Sequence, residues 1–163
     1  MPKDAASTRS TILAAAVQTL QRAGVEGFTL EAVARRAGVV KGLILYHYAS
    51  RSRLLRTAAS QVAEARAAAI ERALASASGA AGLDACWEEL GRQAEDGTAR
   101  AWLSLSAAGF IDRSARNATF EDAARESIID GAAVALATGV PVADVRDAYD
   151  ALWLALLEVT AKR

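Results

Sequence analysis

One cysteine, one histidine and two prolines occur among 163 residues, and each scarcity removes a class of protein. The single cysteine, Cys86, excludes a disulfide framework and a cysteine-rich zinc site. The single histidine, His47, argues against a Ser-His-Asp centre or a histidine-ligated metal. Long apolar runs are missing as well. The longest, Ala151–Leu157, falls far short of the roughly 18 residues a membrane span needs. The start, Met1-Pro2-Lys3-Asp4, is polar and shows no targeting segment, so a cytoplasmic location without a membrane partner is expected. No nucleophile–base pair, P-loop, glycine-rich dinucleotide loop or metal-ligand spacing occurs. The expectation is a protein that is not an enzyme and carries no cofactor or metal.

What is abundant is alanine, 41 of 163 residues. Hydrophobic residues make up 53% of the chain and charged ones 23%, enough apolar material for a packed core. Alanine is the best helix former, so the fold class is all-α. Net charge is zero, yet residues 1–53 carry +5 and residues 54–163 carry −5. That asymmetry fits a nucleic-acid-facing end joined to an acidic body.

Apolar spacing predicts helices over about 7–23, 30–37, 41–48, 51–77, 83–95, 98–111, 120–138 and 142–162. Thr29 is a good N-cap and Gly38 a good stop, and Ala37-Gly38-Val39 joins two short helices in the manner of a helix-turn-helix. Phe28 and Tyr48 are read as core, Tyr46 as exposed. Ser76–Gly82 is a small-residue link. From Arg35 to Arg53 no acidic residue occurs, while Arg35, Arg36, Lys41, Arg51 and Arg53 are basic. A recognition helix needs an outward face clear of acids. Phosphate contacts would supply most of the affinity; Lys41, Leu43 and Tyr46 would supply selectivity, Leu43 through a thymine methyl.

The run from Thr29 to Arg51, with Ile12-Leu13-Ala15-Ala16 before it and Leu54-Leu55 after it, resembles the DNA-binding domain of the TetR family of transcriptional repressors. The resemblance covers about residues 8–58. It implies an N-terminal three-helix DNA-binding domain (residues 1–53) and a C-terminal helical bundle for ligand binding and dimerisation (residues 54–163). Thr29 matches the start of helix 2 that touches phosphate. Lys41 and Gly42 match the exposed start of the recognition helix, Tyr46 and His47 its DNA-facing end, and Arg51 the basic residue that grips phosphate. Three positions depart from the family pattern: Val40 stands where a serine cap is common, Leu43 for threonine and Leu45 for tyrosine.

The implied function is a homodimeric repressor of palindromic double-stranded DNA, released by a small apolar or amphipathic inducer. The alternative is an all-helical interaction module whose helix-turn-helix no longer binds DNA. Trp87, Trp102, Leu105 and Phe110 fall where the family places its inducer pocket, and an ordinary aromatic core accounts for them equally. Glu88, Glu89, Asp112 and Arg113 are read as surface charge, Cys86 as a small buried residue. His47 taken alone reads as a surface histidine; Arg35 or Arg36 reads as part of a solvated face. The last two helices carry the expected dimer surface: Ile128, Ala132, Ala135, Leu152, Trp153 and Leu156. A helix apolar on every side needs cover on every side.

Overall fold

A computed structural model describes residues 2–111 and 119–161. The chain is all-α. Its described elements are α1 (Pro2–Ala23), α2 (Leu30–Ala37), α3 (Lys41–Tyr48), α4 (Arg51–Ala75), α5 (Ala80–Glu95), α6 (Thr98–Ala107), α7 (Phe120–Ala137) and α8 (Val142–Ala161). The central boundaries fall where the caps put them. The Thr29 hydroxyl accepts from the Ala32 amide at 3.0 Å, and that of Ser50 accepts from the Arg53 amide at 3.1 Å. Thr119 caps α7, accepting from the Asp122 amide and donating to its carboxylate.

Two boundaries differ most from the sequence expectation, while α4 ends two residues early, at Ala75, and α5 begins three residues early, at Ala80. α1 begins at Pro2, not Ser7, because proline is tolerated in a first turn; the Ser7 carbonyl instead accepts the hydroxyls of Ser10 and Thr11 inside the helix. α6 stops at Ala107 rather than near residue 111. Gly109 takes φ 73°, and the Phe110 amide returns to the Leu105 carbonyl at 2.9 Å, a left-handed helix stop.

The chain divides into two compact units. One comprises Met1–Ala67 and Arg100–Ile111, the other Ala68–Ala99 and Asp112–Arg163. In the first, Ile12, Leu20, Phe28, Ile44, Leu54 and Leu105 are fully enclosed. α6 joins this unit although it lies far along the chain: the Ser104 hydroxyl accepts from the Val25 amide at 3.3 Å, and Arg66 lies 4.1 Å above the Trp102 ring. In the second, α7 packs on both α5 and α8, around Cys86, Leu90, Ile129, Tyr149 and Trp153. Burial pushes the Tyr149 phenol well up, Cys86 beside it adding to the shift. Its hydroxyl donates to the Leu83 carbonyl at 3.1 Å. Among the described residues, no helix is long and apolar enough to cross a membrane.

Candidate nucleic-acid interface

The turn between α2 and α3 depends on Gly38, at φ 67°, ψ 29°, a left-handed conformation costly for a residue with a Cβ. The sharp reversal lets α3 bury Ile44 and Tyr48 while Lys41, Gly42, Leu45 and Tyr46 face solvent. Tyr46 is 82% exposed, and its ring meets that of His47 edge-on, with centroids 5.2 Å apart. Leu43 and His47 are half-buried at the margins of this face. A Cβ on Gly42 would meet nothing, so the first turn of α3 lies bare. Val40 occupies the N-cap in extended geometry without a side-chain capping bond.

Each basic residue has a different standing. Arg35 is exposed. Arg36 reaches back instead, donating to the Thr19 hydroxyl at 3.1 Å and tying α2 to α1. Lys41 pairs with the Glu31 carboxylate at 2.5 Å. That bond, aided by the Glu31 backbone, holds the Glu31 carboxyl below its ordinary range. Arg51 donates Nε to the Phe28 carbonyl at 2.8 Å and Nη2 to that of Val25 at 3.5 Å. Two of its five N–H donors therefore hold the α1–α2 connector, while the side chain remains exposed.

Sequence reasoning missed Arg9. It donates to the His47 carbonyl at 2.9 Å and lies 4.5 Å above the Tyr48 ring. The Tyr48 hydroxyl returns a bond to the Arg9 carbonyl at 2.9 Å. This reciprocal clasp fixes the C-terminal end of α3 on α1. Burial raises the Tyr48 phenol pKa, with the Arg9 charge opposing. No local signal marks the pair, because its partners lie 38 and 39 residues apart.

The four residues expected at an inducer pocket belong to two different cores. Trp102 and Leu105 are buried in the first unit, with Phe110 packed against them. Trp87 packs on the core of the second. Glu89 is buried, contrary to the surface reading, because Gln93 at 2.7 Å and Arg92 at 2.5 Å on its own helix satisfy the carboxylate. Asp112 and Arg113 lie outside the described residues. Of the expected dimer residues, Ile128, Ala132 and Trp153 are buried within the second unit, Ala135 and Leu156 partly so. Leu152 is 52% exposed. It flanks an apolar groove of about 370 Å³ together with Ile128, Leu156 and Val159. Among the described residues, no three His, Cys, Asp or Glu side chains gather as a metal site would need.

Residues 12–58, which contain α2, α3, the turn between them and the start of α4, match the model of bacterial regulatory proteins of the tetR family. Residues 12–58 are a TetR-type segment. Along most of its length the chain is similar in fold to CprB, a TetR family protein from S. coelicolor A3(2), at 23% identity and a TM-score of 0.52, covering 94% of this chain and 88% of that one. LfrR, a TetR-like transcriptional regulator from Mycobacterium smegmatis, is 22% identical with a TM-score of 0.45, over 93% of this chain and 94% of that one. No curated protein matches the chain. Within this segment α2, the turn at Gly38 and α3 form the helix-turn-helix.

Proposed function

We propose that this chain is a sequence-specific DNA-binding transcriptional regulator, a homodimeric repressor released by a small molecule, and not an enzyme. The observation that carries the reading is the outer face of α3: Lys41, Gly42 and Tyr46 stand exposed on a TetR-family helix-turn-helix within an acid-free stretch from Arg35 to Arg53. Thr29, Arg35 and Arg51 flank this face as phosphate contacts, and Lys41, Leu43 and Tyr46 meet base edges. Arg36 and Arg9 act indirectly, by holding α2 and α3 against α1.

The dimer reading rests on the groove between α7 and α8. Ser127 on α7 and Leu152, Ala155 and Val159 on α8 are exposed small or apolar residues of this groove, and a second copy would cover them. A twofold dimer presents two recognition helices to successive major grooves and so reads a palindrome.

Selection of bound fragments from a genomic pool by the purified protein tests DNA binding and yields the operator. On that operator, Tyr46→Ala should weaken specific binding by about 1–3 kcal/mol and leave random-sequence binding nearly intact. Equal losses on both DNAs would remove Tyr46 from base readout. Recovery of no preferred fragment would favour the helical interaction module, in keeping with the uncapped Val40 start of α3.

A further inference from the structure

A second cleft opens between the start of α5 and α8, with a volume of about 510 Å³, the size of a small-molecule site. Its lining is largely apolar, with Leu83 and Trp153 at the floor and Leu154 and Leu157 on the exposed rim. At one end stand three charged groups. Arg146 donates Nε to Asp150 at 2.8 Å and Nη2 to Asp84, and its guanidinium lies 5.4 Å from the Trp87 ring centroid.

The balance of that trio decides what it attracts. Arg146 is spent on both aspartates, and their hydrogen bonds, that of Asp150 foremost, push its pKa further up. It is also the least exposed of the three, at 31% against 56% for Asp84 and 47% for Asp150. What faces outward is therefore carboxylate, with one net negative charge beside an apolar floor.

Helical register separates this cleft from the α7–α8 groove. Successive residues advance about 100°, so Arg146, Asp150, Leu154 and Leu157 lie on one flank of α8. Leu152, Ala155 and Val159 lie roughly 180° around the helix. A partner covering the α7–α8 groove leaves this flank open.

We infer that the α5–α8 cleft is a binding site for an amphipathic organic cation. The ammonium or amidinium group sits against Asp84 and Asp150, and the apolar body lies along Trp153, Leu154 and Leu157. Binding at the cleft stands on its own; its use to release DNA rests on the proposed function.

Octyltrimethylammonium, below its micelle concentration, serves as the probe, with octanol and octanoate as chain-matched controls. Titration is followed by calorimetry on the full-length protein without DNA. The cation should bind once per chain and more tightly than either control. Asp84→Asn/Asp150→Asn leaves Arg146 uncompensated, so the preference should reverse toward octanoate, with cation affinity reduced about tenfold. Circular dichroism verifies that the variant remains folded. Leu154→Lys, on the exposed rim, should weaken the cation without touching the ion pairs.

Absence of cation binding, equal binding of all three probes, or an unchanged preference in the double variant would overturn the site. With binding established, the same probe is added to the protein–operator complex. Release supports ligand-controlled repression; retention ends that use and leaves the site standing.

Discussion

At the residue scale, two charged side chains serve the fold and the proposed interface together. Arg51 exemplifies the first case, because part of its guanidinium holds the Phe28 and Val25 carbonyls. Lysine keeps the charge but not the fork. Arg51→Lys should lower stability by about 1 kcal/mol in urea unfolding and preserve the salt dependence of DNA binding. Arg51→Ala should lose the stability and also flatten the salt slope by about 0.9. An unflattened slope in a folded alanine variant would remove Arg51 from the phosphate contacts.

Glu31 is the second case, an acid placed on a cation meant for DNA. A phosphate must displace it to reach Lys41. Glu31→Gln should tighten binding to all sequences and steepen the salt slope, because Lys41 then releases counterions only to DNA. Since its carboxyl pKa is lowered, the pair persists throughout the neutral range. It is lost only as pH falls through the lowered value, below the ordinary carboxylate range. The gain from Glu31→Gln should therefore be constant from pH 6 to 8. A gain that vanishes within that window would assign it to another group.

At the element scale, α3 has few stabilising contacts of its own. It spans Lys41–Tyr48, starts without a side-chain cap and ends at Ala49 with φ 61°, a region in which alanine is strained. Its position comes from outside: Ile44 and Tyr48 in the core, Arg9 across its last turn. The N-cap geometry at Val40 is already in place, and that side chain is 74% exposed, so little packing is lost on replacement. Val40→Ser should stabilise the protein by about 1 kcal/mol, seen as a higher Tm with α-helical content unchanged. A neutral or lower Tm would mean that Val40 contributes packing that its exposure hides.

At the scale of the whole molecule, the proposed function depends on pairing. Leu156 is partly packed into its own subunit, so a charge there damages fold and dimer alike. Leu152 separates the two, being half exposed on the α7–α8 groove. Leu152→Glu should leave the circular dichroism spectrum nearly unchanged and lower the unfolding midpoint only by the stabilisation that dimerisation supplied. It should also shift light-scattering mass from dimer to monomer and abolish binding to a palindromic operator while sparing weak half-site binding. A variant that stays dimeric and fully DNA-competent would place the brace elsewhere. A wild type that is monomeric at micromolar concentration would end the dimer reading.

Local chemistry determined what could be read along the chain. The ends of α2 and α3 follow from Thr29, Gly38 and the spacing of Leu30, Val33, Ile44 and Tyr48, because caps and helical periodicity act over a few residues. The exposed face of α3 follows from the same spacing. Tertiary structure decided which of those residues are free to act. Arg36, Lys41 and Arg51 look alike in sequence, yet one binds Thr19, one Glu31 and one a loop carbonyl. The expected pocket aromatics were divided between two cores for the same reason: α6 joins the unit built by the first 67 residues, while Trp87 on α5 does not. Periodicity shows that a helix has an apolar face. It carries no information about which distant helix will cover that face, since long-range partners are chosen by the free energy of packing the whole chain.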